Sequence, residues 1–264
     1  MLSRMFLAAM LGFTSQTVGL ASETANQTPS SVSPDSTTTP APAATIKRPP
    51  ISREMRGDIF MARKMFDSAI EQYKAAPASA VVTNKIGIAY HQLQELPLAK
   101  KYYQRAVKLD PRYSDAINNL GTIYYADKSY RRAVGQYKRA LRLAPRSATI
   151  YSNLGSAYFS RRDYKRAFDC HNTALSLDPA VFDNHSTTGV LLQDSSVEDR
   201  ATYHYYMARL YARSGSVDRA LQYIRKSLEE GFRDRKKFRE EPDFAGLQKL
   251  PEFQELMRSD PRVL

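Results

Sequence analysis

Between Ala80 and Ala180 one pattern is written three times at intervals of 34 residues. Ile86-Gly87, Leu120-Gly121 and Leu154-Gly155 share one register, and Tyr90, Tyr124 and Tyr158 follow at a common offset. Ala99, Ala133 and Ala167 come next, then Tyr103, Tyr137 and His171, then Ala106, Ala140 and Ala174, and finally Pro111, Pro145 and Pro179. A fixed period of this length restricts the chain to a stack of equivalent units, because one such unit cannot bury its apolar face alone. Within a unit the spacing is helical. Leu120, Ile123 and Tyr124 fall at i, i+3 and i+4 on one helix, and Ala133, Tyr137 and Ala140 at i, i+4 and i+7 on a second. The pattern predicts first helices over 81–93, 115–127 and 149–161, and second helices over 96–109, 130–143 and 164–177. The recurring glycine costs about 1 kcal/mol of helix propensity relative to alanine, so it needs a packing reason: it lets the second helix approach closely. The prolines stop each second helix, since proline lacks the amide proton and clashes inside a helix.

The large-small pair followed by Tyr, Ala, aromatic, Ala and Pro resembles the tetratricopeptide repeat family, over the whole of all three units. Two positions depart from that family: Thr83, Ile117 and Tyr151 stand where it usually has Trp, and His171 stands where an aromatic recurs. The resemblance implies an all-α, right-handed superhelical solenoid of antiparallel helix pairs. It also implies a concave groove, lined by the first helices, that binds a protein or peptide without any cofactor. Carried onto this sequence, the groove positions are Asn84, Ile88 and His91; Asn118, Thr122 and Tyr125; and Ser152, Ser156 and Phe159, with Asn119 and Asn153 beside them. Each trio falls at i, i+4 and i+7, hence on one face. Amides suit the backbone of an extended peptide, and Tyr125 and Phe159 suit its apolar side chains. The family's carboxylate-binding version needs several cationic groove residues; here only Lys85 qualifies, so that activity is not expected.

The flanks follow from the same register. Residues 1–21 read as a secretory signal: Arg4, then an apolar run from Met5 to Phe13, then Gly19-Leu20-Ala21 as a cleavage site. Ser15, Gln16 and Thr17 interrupt the run, which is short of the roughly 20 apolar residues a membrane span needs. Cleavage after Ala21 predicts an exported protein, periplasmic or extracellular. Residues 22–50, rich in Ser, Thr, Pro and Ala, predict a disordered tether. A degenerate hairpin occupies 51–79, with Gly57, Ala69 and Tyr73 at the repeat's offsets, and three full units fill 80–113, 114–147 and 148–181. An insertion over 182–200 is either a loop or a short helix over Thr187–Leu192. A further degenerate unit covers 201–232, and capping helices over 233–264 lay Phe244, Leu247, Phe253 and Leu256 against it. The terminal units are expected to turn one face to water.

Charge separates two surfaces. The chain carries a net charge of +12, and residues 47–181 hold 24 Lys/Arg against 11 Asp/Glu. Lys100, Lys101, Arg131, Arg132, Lys165 and Arg166 lie on successive second helices, which puts positive charge on the convex side. That side is either a solvated face or an attractor of anionic envelope polymer, acidic protein or lipid headgroups; nucleic acid is not expected for an exported chain. Catalytic patterns are missing. There is no phosphate-binding glycine loop and no nucleophile elbow, and His91, His171, His185 and His204 have no second ligand at metal spacing. One cysteine, Cys170, excludes an intrachain disulfide and reads as an inert, partly buried thiol. No catalytic, metal or cofactor site is predicted.

Overall fold

The computed structural model describes residues 50–183 and 196–258. The leader, the tether up to residue 49 and the centre of the insertion, with the helix weighed over Thr187–Leu192, lie outside those residues. All regular structure among them is helical. Five hairpins follow in order: α1 (Arg53–Ala62) with α2 (Phe66–Lys74), α3 (Ala80–Gln92) with α4 (Leu96–Leu109), α5 (Ser114–Ala126) with α6 (Tyr130–Leu143), α7 (Ala148–Ser160) with α8 (Tyr164–Leu177), and α9 (Val197–Arg213) with α10 (Val217–Glu229). Helix α11 (Arg235–Glu240), a 3-10 turn (Pro242–Phe244) and α12 (Pro251–Arg258) close the stack. Each second helix packs on the first helix of the next hairpin from α2 through α7, and α8 touches α9. The result is an all-α solenoid of antiparallel pairs.

The second helices span the predicted residues, whereas the first helices begin and end one residue earlier than periodicity predicts. Local chemistry explains the shift. The Ser79 hydroxyl accepts from the Val82 amide at 3.0 Å and the Ser147 hydroxyl from Ile150, so α3 and α7 start right after their serines, while α5 starts after Tyr113 with no side-chain cap. At the other end, all five hairpins turn in one way. The amides of Met65, Glu95, Ser129, Asp163 and Ser216 return to the carbonyls of Phe60, Tyr90, Tyr124, Tyr158 and Tyr211 at 2.8–3.0 Å. This six-residue return closes a helix through one left-handed residue. Gly215 supplies that residue in the fifth turn, but Lys64, Gln94, Lys128 and Arg162 take φ between 55° and 63° in the others.

The glycines have the packing role their recurrence suggests. A methyl built on Gly87 would lie 2.6 Å from Tyr103 Cε1, and one on Gly121 would lie 2.6 Å from Tyr137 Cε1. Gly57 meets Tyr73 and Gly155 meets His171 in the same manner. The partner always sits 16 residues on. In the fifth hairpin that pair is Ala208 and Ile224, both fully buried, so a methyl appears where the partner ring has gone. His171 stacks on Phe182 with ring centres 5.3 Å apart. Burial pushes its imidazole down from 6.5 to about 4, and does the same to His91.

The closing segment seals the last hairpin. Phe238, Phe244, Leu247, Phe253 and Leu256 are buried. Tyr205 of α9 stacks on Phe232 at 4.6 Å and meets the edge of Phe238 at 5.3 Å. Arg209 pairs with Asp243 at 2.8 Å and Glu241 at 3.0 Å while its guanidinium lies 4.8 Å over the Phe168 ring. One side chain thus ties the cap to α8 and α9.

Two outcomes are expected. Gly121→Ala destabilises the protein by about 1–3 kcal/mol through overpacking against Tyr137, and adding Tyr137→Ile, as in the fifth hairpin, recovers part of that loss; chemical denaturation of the two variants measures both. Histidines held neutral by burial make the unfolded chain the better proton acceptor below pH 6.5, so stability falls between pH 6.5 and about 4. His171→Tyr restores the repeat's glycine–tyrosine pair and removes part of that fall, on the order of 1–3 kcal/mol, as denaturation midpoints across this pH range will reveal.

Candidate functional site

The first helices stand side by side, with direct contacts from α3 to α5 and from α5 to α7. Their facing side chains are the residues that sequence places along a groove. Asn119 Nδ2 donates to Asn84 Oδ1 at 3.1 Å, and Asn153 Nδ2 donates to Asn118 Oδ1 at 3.0 Å. Asn118 in turn donates to Asn119 at 3.4 Å. Four amides therefore run as one ladder across three helices. Further bonds brace the wall. The Thr122 hydroxyl donates to the Asn119 carbonyl at 2.7 Å, Tyr125 Oη and Ser160 Oγ are 2.8 Å apart, and His91 Nδ1 sits 3.3 Å from the Tyr103 hydroxyl. Phe159 meets the edge of Tyr203 at 5.3 Å.

The wall is brought together, and most of it is covered. Asn84, His91, Asn118, Asn119, Thr122, Tyr125, Ser152, Asn153, Ser156 and Phe159 are buried, and Ile88 is half-buried. The amides thought suited to a peptide backbone bond one another instead. Ser152 Oγ, Ser156 Oγ and Asn153 Oδ1 are buried without a hydrogen-bond partner. Solvent reaches α3 along one stripe, whose Lys85 and Ile88 positions are buried on α5 and α7 as Asn119, Thr122, Asn153 and Ser156. Val81 is exposed, and Lys85, Ile88 and Gln92 follow it at i+4, i+7 and i+11 with partial exposure. Asp115 and Thr149 occupy the position of Val81 on α5 and α7. Lys85 is neutralised by Glu54 at 2.7 Å and Asp58 at 2.8 Å. A groove whose one cation is already paired is not built to hold a carboxylate.

The convex cations divide into two groups. Lys100 pairs with Asp127 at 3.1 Å and lies 5.0 Å over the Tyr124 ring, which Arg132 also faces at 5.9 Å. Arg166 pairs with Asp163 and lies 5.0 Å over Tyr158. The repeat tyrosines thus carry cations on their outer faces, a contact worth about 0.5–1 kcal/mol at exposed sites. Lys101, Arg131 and Lys165 stay exposed. Sequence reasoning missed this pairing, as it missed Arg209, whose acidic partners lie more than 30 residues away.

Among the described residues no cluster of His, Cys, Asp and Glu is able to hold a metal ion, and no helix is long and apolar enough to cross a membrane. Cys170 is half-buried, with its thiol pushed up to about 11 by burial, which keeps it protonated and unreactive. His204 Nδ1 lies 3.2 Å from Glu230, which also takes Arg200 at 3.2 Å, and burial lowers the imidazole's pKa.

Family models bear on these same units. Two models described as tetratricopeptide repeat match residues 83–113 and 147–177, and one described as TPR repeat matches 121–161. No curated protein matches the chain in sequence. Solved structures resemble it. A crystal structure of MamA is 23% identical with a TM-score of 0.46, covering 66% of this chain and 93% of its own. YrrB, titled a TPR protein with an unusual peptide-binding site, is 19% identical with a TM-score of 0.44, over 52% of this chain and 72% of its own. The second TPR domain of human RPAP3, in complex with an HSP70 peptide, is 27% identical with a TM-score of 0.38, over 40% and 92%. The matched stretches fall on the helices from α3 to α8 whose glycine and alanine positions recur in one packing role, and this part of the chain, residues 83–113 and 121–177, consists of tetratricopeptide repeats.

Proposed function

We propose that this protein is a non-enzymatic scaffold that holds an extended segment of a partner protein along its first-helix wall, outside the cytoplasm. The observation that carries this reading is the wall itself. Three helices are fixed in register by an amide ladder, and the first of them, α3, offers graded exposure along Val81, Lys85, Ile88 and Gln92. A wall held this rigidly loses little conformational entropy when a partner docks. Apolar groups at Val81 and Ile88 offer anchors for side chains of an extended peptide. The buried groove residues act by shaping the surface that those anchors share.

A second reading rests on Lys101, Arg131 and Lys165, whose exposure on the convex side favours attraction of an anionic polymer or membrane surface. Salt separates the two, since screening weakens exposed charge pairs far more than apolar contacts. Affinity capture from envelope extract with stepped salt elution is the direct experiment. Retention of protein through high salt, lost in Val81→Glu/Ile88→Glu but kept in Arg131→Glu/Lys165→Glu, is the expected pattern. The opposite dependence transfers the function to the convex face. Retention unaffected by either pair of changes rules out both surfaces.

Export carries its own expectation. The mature protein recovered from its source begins at Ser22, as read by amino-terminal sequencing. A chain that retains Met5 to Phe13 in the cytoplasm overturns the envelope setting while leaving the scaffold intact.

A further inference from the structure

The two ends of the solenoid differ. At the carboxyl end α11, the 3-10 turn and α12 cover the last hairpin. At the amino end Met55 and Ile59 of α1 are exposed at 54% and 37% of their full surfaces, and Ile51, just ahead of the helix and its Ser52 cap, at 48%. Met55 and Ile59 fall at i and i+4 on one face of α1, and Ile51 precedes them in the chain. Alignment of the hairpins on Gly57, Gly87, Gly121 and Gly155 identifies that face. The counterparts of Ile59 are Ala89, Ile123 and Ala157, with 0%, 1% and 0% exposure. Two of the counterparts of Met55 are Asn119 and Asn153, both buried in the amide ladder. In α5 and α7 the positions of Met55 and Ile59 lie under the preceding hairpin, through the contacts of α4 with α5 and α6 with α7, while the position of Ile51, held by Val81, Asp115 and Thr149, keeps solvent access. On α1 the face keeps the repeat's docking geometry, has apolar side chains in place of the ladder amide, and stands open.

The chain's own preceding residues are poorly suited to cover it. Residues 22–49 contain two large apolar side chains, Val32 and Ile46, and these are 14 positions apart among Ser, Thr, Pro and Ala. Such a segment has no apolar stripe to set against Met55 and Ile59. A second copy of α1 has one. The stripe is bordered by Arg56 and Arg63 on one edge and by Glu54 and Asp58 on the other, the two acids pointing to the side of Lys85. A two-fold axis running along the helix lays stripe on stripe and sets the basic edge of one copy against the acidic edge of the other. An axis across the helices instead opposes like to like.

We propose that the open face of α1 is a self-association surface, and that two copies join end to end through Ile51, Met55 and Ile59 with Arg56 and Arg63 of one copy facing Glu54 and Asp58 of the other. The contact is isologous, so it closes at two copies. It gives one assembly two first-helix walls.

Sedimentation equilibrium of the purified full-length protein tests this. A monomer–dimer equilibrium is expected. Met55→Glu/Ile59→Glu weakens it by at least roughly a hundredfold, since both changes place carboxylates in the closed stripe. Helical circular dichroism stays unchanged, because the substituted side chains face solvent in the monomer. Arg56→Glu weakens the dimer roughly tenfold. A photo-reactive benzoylphenylalanine at position 55 yields a product of twice the mass, joined within residues 51–63 of the other copy. A protein that is monomeric at every concentration, a dimer that survives Met55→Glu/Ile59→Glu, or a cross-link from position 55 into residues 1–49 of the same chain overturns the proposal.

Discussion

The contact between a helix glycine and the aromatic ring 16 residues on is the constraint from which the rest of the structure follows. Gly87 on Tyr103 and Gly121 on Tyr137 bring two helix backbones closer than any side chain at the glycine permits. Close approach leaves room only for small residues beside the ring, hence Ala99, Ala106, Ala133 and Ala140, all fully buried. The ring fills the volume between the helices and fixes their rotation. Fixed rotation then decides which side chains each first helix turns toward its neighbours. The fifth hairpin supports this reading, because Ala208 appears only where Ile224 has replaced the ring.

Two hydrogen-bond systems complete the geometry at different ranges. Within a hairpin, the six-residue return at each turn sets where the second helix begins. The turn tolerates Lys64, Gln94, Lys128 and Arg162 in a conformation that favours glycine, at some cost to each hairpin. Between hairpins, the asparagine ladder ties Asn84 to Asn119 and Asn118 to Asn153. Buried amides of this kind are costly unless paired, so each member depends on the next. The inner wall is consequently stiff, and the side chains that solvent reaches on it lie mainly at its edge on α3.

The period, the helix pairing and the reason for each glycine were legible because they depend on residues in one register, where three copies can be compared. The closing residues Phe244, Leu247, Phe253 and Leu256 were legible because short amphipathic helices declare their buried face. The amide ladder was not. Its bonds join residues 35 apart, one more than the repeat, so no comparison of equivalent positions reveals them. Lys100 on Tyr124 is hidden too, since it comes from the preceding second helix, whereas Arg132 on Tyr124, Arg166 on Tyr158 and Arg219 on Tyr211 share one register and were open to comparison. Sequence alone also leaves the groove residues as a line of polar and aromatic groups. Only their depth shows that Asn118 and Asn153 serve the wall before any ligand.

A solenoid has no intrinsic end, and this one solves its two ends unequally. Each hairpin creates an apolar face that the next must cover, at roughly 25 cal/mol for every square ångström removed from water. After α10 that demand is met within the chain: a cluster of phenylalanines covers the face, and Arg209 binds the cover through Asp243 and Glu241. Before α1 it is not met among the described residues. A terminal repeat that needed only to face water would carry Lys, Glu or Ser where Met55 and Ile59 stand. Keeping apolar groups at the two positions where later units place Asn119 and Ile123, or Asn153 and Ala157, retains the form of a packing face without its cover. The repeat itself thus generates two surfaces left without full cover among the described residues: the edge of the inner wall on α3 and the open end of the stack at α1.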